Sequence, residues 1–257
     1  MRNNPIVIGY WTMVRKEVVR IVRIWSQTLL PPVVTMSLYF IVFGTFIGSQ
    51  LREIHGVSYM QFIVPGLVMM AIITSSYMNT VSTFYFAKWQ RTIDEMLVSP
   101  MPNWTVMLGF VSGGVIRAAL VGFLVTLVSL FFTHLVVHSV GIIFLGAFMT
   151  ALLFSFAGLV NGFFAKSFDA ISIVPTFVLT PLTYLGGVFY SIDQLPDFFR
   201  TVSLFNPILY MVNLFRYGFL GVSDVNPGYA FGVLSVLLLM FVFVTLWLFK
   251  RGKGLKS

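Results

Sequence analysis

Cysteine is absent from this chain of 257 residues, which excludes a disulfide framework and any thiolate metal site. Charge is scarce. Asp, Glu, Lys and Arg make up 9% of the residues, against about 25% in a water-soluble domain. So little charge cannot cover a solvent-exposed surface, and with 58% hydrophobic residues the chain reads as an all-α polytopic membrane protein. Acidic residues are the scarcest class. There are eight, and none lies centrally in a hydrophobic run, where an ion-coupled carrier usually keeps ionisable groups. No G-x-x-x-x-G-K-[ST] phosphate loop occurs, and GKG at 252–254 sits at the extreme C-terminus with no helix to follow it. H-E-x-x-H and G-x-S-x-G are missing as well. The sequence therefore offers no catalytic residue, no ATPase site and no cofactor or metal site of its own. His134 and His138 stand four apart around a short turn with no carboxylate nearby, and read as interface-anchoring imidazoles rather than zinc ligands. His55 says little.

What is present in quantity is apolar sequence in span-length runs. About 20 such residues cross a bilayer core. By that rule six spans are expected, at about 27–48, 59–83, 107–133, 139–165, 172–189 and 229–249, forming one membrane domain over 1–257. The fifth is expected to bend at Pro175 or Pro181. The N-terminal region carries no evident cleavable signal, and its first long run reads as a retained anchor. With both termini on one side, that side carries 12 Lys and Arg (from Arg2, Arg15 and Lys16 to Lys253 and Lys256), and the other carries Arg52, Arg200 and Arg216. Positive charge stays in the cytoplasm, so both termini are expected there. All five tryptophans (Trp11, Trp25, Trp89, Trp104, Trp247) fall near the same boundary, where an amphipathic ring is at home. The net charge of +8 is thus a matter of topology, not nucleic acid.

Residues 5–25 show helical amphipathicity. Thr12, Arg15, Lys16, Arg20 and Arg23 gather on one face, and Val7, Val14, Val18, Ile21 and Trp25 on the other. This predicts a helix in the membrane interface with cations toward anionic lipid headgroups. Gly44/Gly48, Gly109/Gly113 and Gly158/Gly162 are small-xxx-small pairs that let helix backbones approach closely, mostly within the chain. The thirteen methionines and many phenylalanines read as core and lipid-facing bulk, although a soft lining would also suit a lipophilic cargo.

Two further segments carry function. Residues 180–218 are too apolar for a water-exposed loop, yet Pro181, Pro196 and Pro207 prevent a continuous span. Non-helical backbone at membrane depth must be covered by protein or face a water-filled cavity. A re-entrant helical hairpin at 186–218 is expected between the fifth and sixth spans. It breaks at Gly186 and Gly187, and a short helix carrying Tyr210 and Arg216 starts at Pro207. Loop 84–106 places Lys88, Arg91, Asp94 and Glu95 on a short helix with Trp89, Met96 and Leu97, ended by Ser99-Pro100 and Pro102. It reads equally as a peg for a partner protein or as a solvated connector. Arg117, about ten residues into the third span, either lines a translocation route or caps backbone carbonyls.

The stretch IDEMLVSPMP at 93–102 resembles the coupling loop of ABC-2 type transporter permeases. PTFVLTPLTYLGGVFYSIDQLP at 175–196, followed by NPILYMVNLFRYGFLG at 206–221, resembles that family's C-terminal signature, and YMQFIVPGL at 59–67 points to its YadH-type branch. The resemblance implies a bacterial inner-membrane permease subunit that homodimerises and binds two copies of a separate ABC ATPase, which holds the ATP and Mg. On that resemblance Lys88, Arg91, Asp94, Glu95, Leu97 and Pro100 would form the coupling element. Arg117, Gly186, Gly187, Tyr190, Pro207, Tyr210 and Arg216 would belong to the translocation route or its outer exit. Cargoes in such a family include polysaccharides, lipids, drugs and other lipophilic molecules. The alternative is a self-contained ion-coupled carrier or channel.

Overall fold

Hydrocarbon offers no hydrogen bonds, so an apolar chain closes its backbone bonds within helices. The computed structural model describes residues 5–48, 53–54 and 56–252; His55, Arg2, Arg52, Lys253 and Lys256 lie outside them. Among the described residues there is no strand beyond one isolated bridge, Ile54 to Val57. The helices are α1 (Pro5–Arg23), α2 (Trp25–Gly44), α3 (Tyr59–Trp89), α4 (Thr92–Val98) and α5 (Asn103–Ser129). They continue as α6 (Val140–Phe164), α7 (Phe168–Tyr184), α8 (Asp197–Leu204), α9 (Pro207–Leu220) and α10 (Pro227–Arg251).

Local chemistry sets many of the ends. At the start of α3, Ser58 Oγ accepts from the Gln61 N–H while the Gln61 side chain accepts from the Ser58 N–H, a reciprocal cap. Asn206 and Asn226 cap α9 and α10 through their side-chain oxygens, each followed by a proline whose missing N–H needs no partner there. Gly221 and Gly252 close the same two helices in the left-handed region, at φ 72° and 62°.

Among the described residues five helices, α2, α3, α5, α6 and α10, are long and apolar enough to cross a membrane. The segment expected as the fifth span is α7, a shorter apolar helix of 17 residues that starts at Phe168 and ends at Tyr184 rather than running over 172–189. At 1.5 Å per residue it is about 26 Å long, short of the roughly 30 Å hydrocarbon core. Its prolines account for its shape. Pro175 opens a wider turn over residues 175–179, in which the Thr180 N–H reaches back five residues to the Pro175 carbonyl. The Gly186-Gly187 turn, with Gly187 at φ 69°, then ends it.

α3 is the central helix, buried on nearly every side among α5, α6 and α9. Glycines allow that approach. A Cβ at Gly158 of α6 would stand 2.7 Å from the Tyr77 carbonyl, and one at Gly114 of α5 would collide with Thr80 and Ser155. The Gly109/Gly113 pair serves α1 in the same way: a Cβ would meet Met13 at 2.7 Å and Glu17 at 2.7 Å respectively. α1 therefore climbs alongside α5 and presents three sectors. Met13, Val14, Glu17 and Ile21 are buried. Val7, Ile8, Trp11, Val19 and Val22 are exposed and apolar, and Thr12, Arg15, Lys16 and Arg23 are exposed and polar. Arg20, expected on the polar face, turns inward instead.

Two ends of the bundle are defined by its contacts. At the basal end Phe84, Phe110, Phe163 and Phe249 interlock with ring centroids 4.7–6.0 Å apart. At the distal end the 134–139 turn meets α9, with the Ser139 N–H donating to the Gly218 carbonyl at 2.8 Å. The close α3–α6 contact predicts that Gly158→Val destabilises the folded protein by about 1–3 kcal/mol, the range for overpacking a tight site. Gly232→Val on the open face of α10, where a Cβ meets nothing within 4 Å, is expected to change little. Thermal unfolding of both variants in one detergent checks the difference.

Candidate functional site

At the basal end α3 runs into α4 through a tight reversal. Arg91, at the start of α4, sits in the left-handed region at φ 60°, a conformation that bulky residues rarely adopt. The main anchor of α4 is Ile93, fully buried in the basal cluster. Around it Arg91, Asp94 and Glu95 are exposed, as is Pro100, and Val98 is 88% exposed. Leu97 is half-buried against the basal cluster. The two carboxylates lie in the first turn of α4, where they complement the positive end of the helix. Trp89 and Phe86, stacked with centroids 5.8 Å apart, leave exposed aromatic surface beside them.

Lys88 is placed differently from its neighbours. Its Nζ donates to the carbonyls of Gly162, Phe163 and Ala165 at 3.2, 2.9 and 2.9 Å. These are the orphan acceptors at the C-terminus of α6, where a cation is favoured. The structure thus gives Lys88 a packing task, while Arg91, Asp94 and Glu95 stay available on the surface.

Midway along the bundle, Arg117 of α5 donates from Nη2 to the Thr28 carbonyl at 2.9 Å, at the break between the first two segments of α2. Nearby, Arg20 donates to Glu17 at 2.8 Å and to Asn79 Oδ1 at 2.7 Å. Glu17 and Asn79 are both buried.

The distal end holds the most buried charge. Arg216 of α9 is fully enclosed. Its Nη2 donates to the Gly187 carbonyl at 2.6 Å, and its Nε to the Phe62 carbonyl at 3.4 Å, three residues before Pro65 interrupts the α3 ladder. Its guanidinium lies 3.7 Å from the Phe62 ring centre, and Asp224 Oδ2 stands 3.7 Å from Nη1. Asp224 in turn accepts from Ser191 Oγ at 2.7 Å and from the Ile192 N–H at 3.3 Å. One ion pair thereby ties four segments together: α3, α9, the turn after α7 and the turn after α9. The hairpin residues fall around it. A Cβ on Gly186 would strike Ile208, and Gly187 supplies the left-handed turn. Pro207 opens α9, and Tyr210 donates to the Leu204 carbonyl at 2.8 Å. Tyr190 is half-buried, and burial pushes its phenol above the usual range. Asn206 Nδ2 further ties the hairpin to the Leu182 carbonyl at 2.6 Å. α8 remains an apolar outer surface, with Phe198, Phe199 and Phe205 exposed. Its Arg200–Asp193 pair, 3.1 Å apart and half in solvent, contributes little.

Sequence reasoning named Arg20 and Arg216 but passed over their carboxylate partners, Glu17 and Asp224. Asp224 is the lone acidic residue after Asp197, and Glu17 the lone one among the first 50 residues. A single carboxylate in an apolar neighbourhood rich in arginine was the available signal for both.

Apolar helices of spanning length thus surround a fully buried polar tie, and an exposed charged helix stands at one end, an architecture suited to the membrane-embedded part of a transporter. Residues 9–220 match the family described as ABC-2 type transporter. The inner membrane transport permease YadH of Escherichia coli (strain K12) is 55% identical over 252 residues, covering 96% of this chain and 98% of that protein. Nodulation protein J of Rhizobium leguminosarum bv. viciae is 26% identical over 219 residues, 83% of each chain. Nodulation protein J of Rhizobium meliloti (strain 1021) is also 26% identical, over 83% and 82%. The chain belongs to the ABC-2 type transporter family.

Removing one member of a buried ion pair costs about 3–5 kcal/mol because it strands the other charge, whereas removing both is far milder. Arg216→Leu is therefore expected to unfold at clearly lower temperature than Arg216→Leu/Asp224→Leu. Lys88→Met, which strips three carbonyls of their donor, is expected to lose more stability than Arg91→Ala. Parallel thermal melts of the four variants check both orderings.

Proposed function

We propose that the protein is the transmembrane permease subunit of an ATP-driven exporter in a bacterial inner membrane, with both termini cytoplasmic. The full-length similarity to an inner membrane transport permease carries this reading. In it α7 serves as a short fifth span and α1 lies at the interface, its exposed apolar sector in lipid and its cations toward headgroups. Two copies of the chain form the translocator, and two copies of a separate ABC ATPase supply hydrolysis of ATP with its Mg. The resulting dimer moves a lipophilic, lipid-linked or polysaccharide-type cargo outward.

Within this scheme α4 is the docking element. A helix anchored chiefly by Ile93, with Arg91, Asp94, Glu95 and Val98 projecting, suits insertion into a cleft of a partner. Its charges set orientation and its apolar residues supply contact. The distal hairpin, held shut by Arg216, is the exit-side cover. Arg117 belongs to the route between them.

Glu95→Ala combined with Arg91→Ala is expected to weaken co-purification with the partner ATPase and to lower its membrane-dependent ATP turnover by about tenfold, the effect of losing one or two charge-assisted contacts. The melting temperature should hardly move, because both side chains are exposed. Unchanged complex formation and turnover would remove α4 from the coupling role. Transport by the purified chain without ATP or partner would instead establish a self-contained carrier.

A further inference from the structure

The charges beside Arg117 do not balance. Two guanidiniums, Arg20 and Arg117, lie near one another, and the one carboxylate there, Glu17, is already bound to Arg20 at 2.8 Å. The other described acidic residues sit on α4, in the first turns of α7 and α8, or in the distal loops. Among the described residues no carboxylate pairs with Arg117, and its Nε has no hydrogen-bond partner. An uncompensated cation among membrane helices is expensive and calls for a counter-charge.

Arg117 also lines a cavity of about 350 Å³ between α2, α3 and α5, within the size range of small-ligand sites. The cavity follows the one stripe of α3 that is not packed away, where Met70, Thr74, Met78 and Ser82 recur every fourth residue. Its wall includes Ser75, 2% exposed, whose Oγ has no partner. A guanidinium with a free N–H and an orphan hydroxyl offer donors to an anion. The thioethers of Met70 and Met78 offer an adaptable apolar surface beside them.

We propose that this cavity binds an amphiphile with an anionic head, phosphate or carboxylate, its oxygens at Arg117 and Ser75 and its alkyl part along the Met70–Met78 stripe. The inference rests on reading Arg117 as part of the transport route, and gives that route a ligand class.

The test is titration of a fluorescent twelve-carbon alkyl phosphate into the purified full-length chain in a neutral maltoside detergent, read by anisotropy. Saturable binding is expected, weakened at least about tenfold in Arg117→Gln and less in Arg117→Lys, because a charge-assisted contact is lost in one and partly kept in the other. Thr74→Trp, an exposed change that fills the groove and leaves Arg117 in place, should weaken binding comparably, and it decides the matter if Arg117→Gln does not fold. Affinity unchanged in Thr74→Trp, or unchanged in a folded Arg117→Gln, overturns the proposal. So does equal displacement by inorganic phosphate regardless of the alkyl chain, which would mark a site for free phosphate. The α4 variants should bind the probe normally. Should the probe fail to bind while those variants still uncouple ATP turnover, this site falls and the permease reading stands.

Discussion

A polar group sunk among these helices is costly unless it finds a partner inside the protein, because hydrocarbon supplies none. That constraint explains features that otherwise look unrelated. Buried Ser76, Thr80 and Ser129 return their hydroxyls to carbonyls of their own helix. Lys88 closes the end of α6. Most of all, Arg216 gathers the irregular backbone after Tyr184, which is neither helix nor strand and needs donors, onto α3. Without an internal cation the Gly187 carbonyl would lose its donor and the Asp224 carboxylate its guanidinium.

The same constraint makes α3 the common support of both ends of the bundle. Toward its N-terminus it meets the hairpin at three points. Tyr59 donates to the Phe189 carbonyl at 3.0 Å, Phe62 receives Arg216, and Gly66 lies so close to Val188 that a Cβ would stand 2.8 Å from the Val188 carbonyl. Toward its C-terminus it leads directly into α4, with a two-residue reversal and Ile93 locked in the basal cluster. α4 and the distal turns are thus joined by one helix embedded in protein along most of its length. On the proposed reading this is how closure of a partner ATPase is transmitted to the exit side.

Much of this was legible in the sequence because its causes are local. Spanning length is a count of apolar residues, so α2, α3, α5, α6 and α10 fall close to where the runs predict them. The breaks between α7 and α9 follow from glycine and proline: Gly187 takes a left-handed φ, and Pro207 begins α9. The Gly158 and Gly109 contacts follow from small residues four apart. What could not be read depends on long-range pairing. Arg216 meets a carbonyl 154 residues away, and no spacing rule links them. Lys88 looked like a surface charge because its partners belong to a helix 74 to 77 residues further on. α1 looked like a two-faced helix, but α5 claims a third face, which takes Glu17 inside and draws Arg20 after it.

The central claim, that α3 carries the docking helix and the exit hairpin as one body, has a direct test, and the absence of native cysteine makes labelling simple. Spin labels at Val98→Cys and Phe205→Cys, both exposed positions at opposite ends, are placed in one copy of the assembled transporter. Their separation is measured by double electron–electron resonance without nucleotide and with the ATPase closed on ATP. The account predicts a distance constant to within about 2 Å, the scale of small helix adjustments. A change of many ångströms within the one chain would show that the two ends move independently and would contradict it.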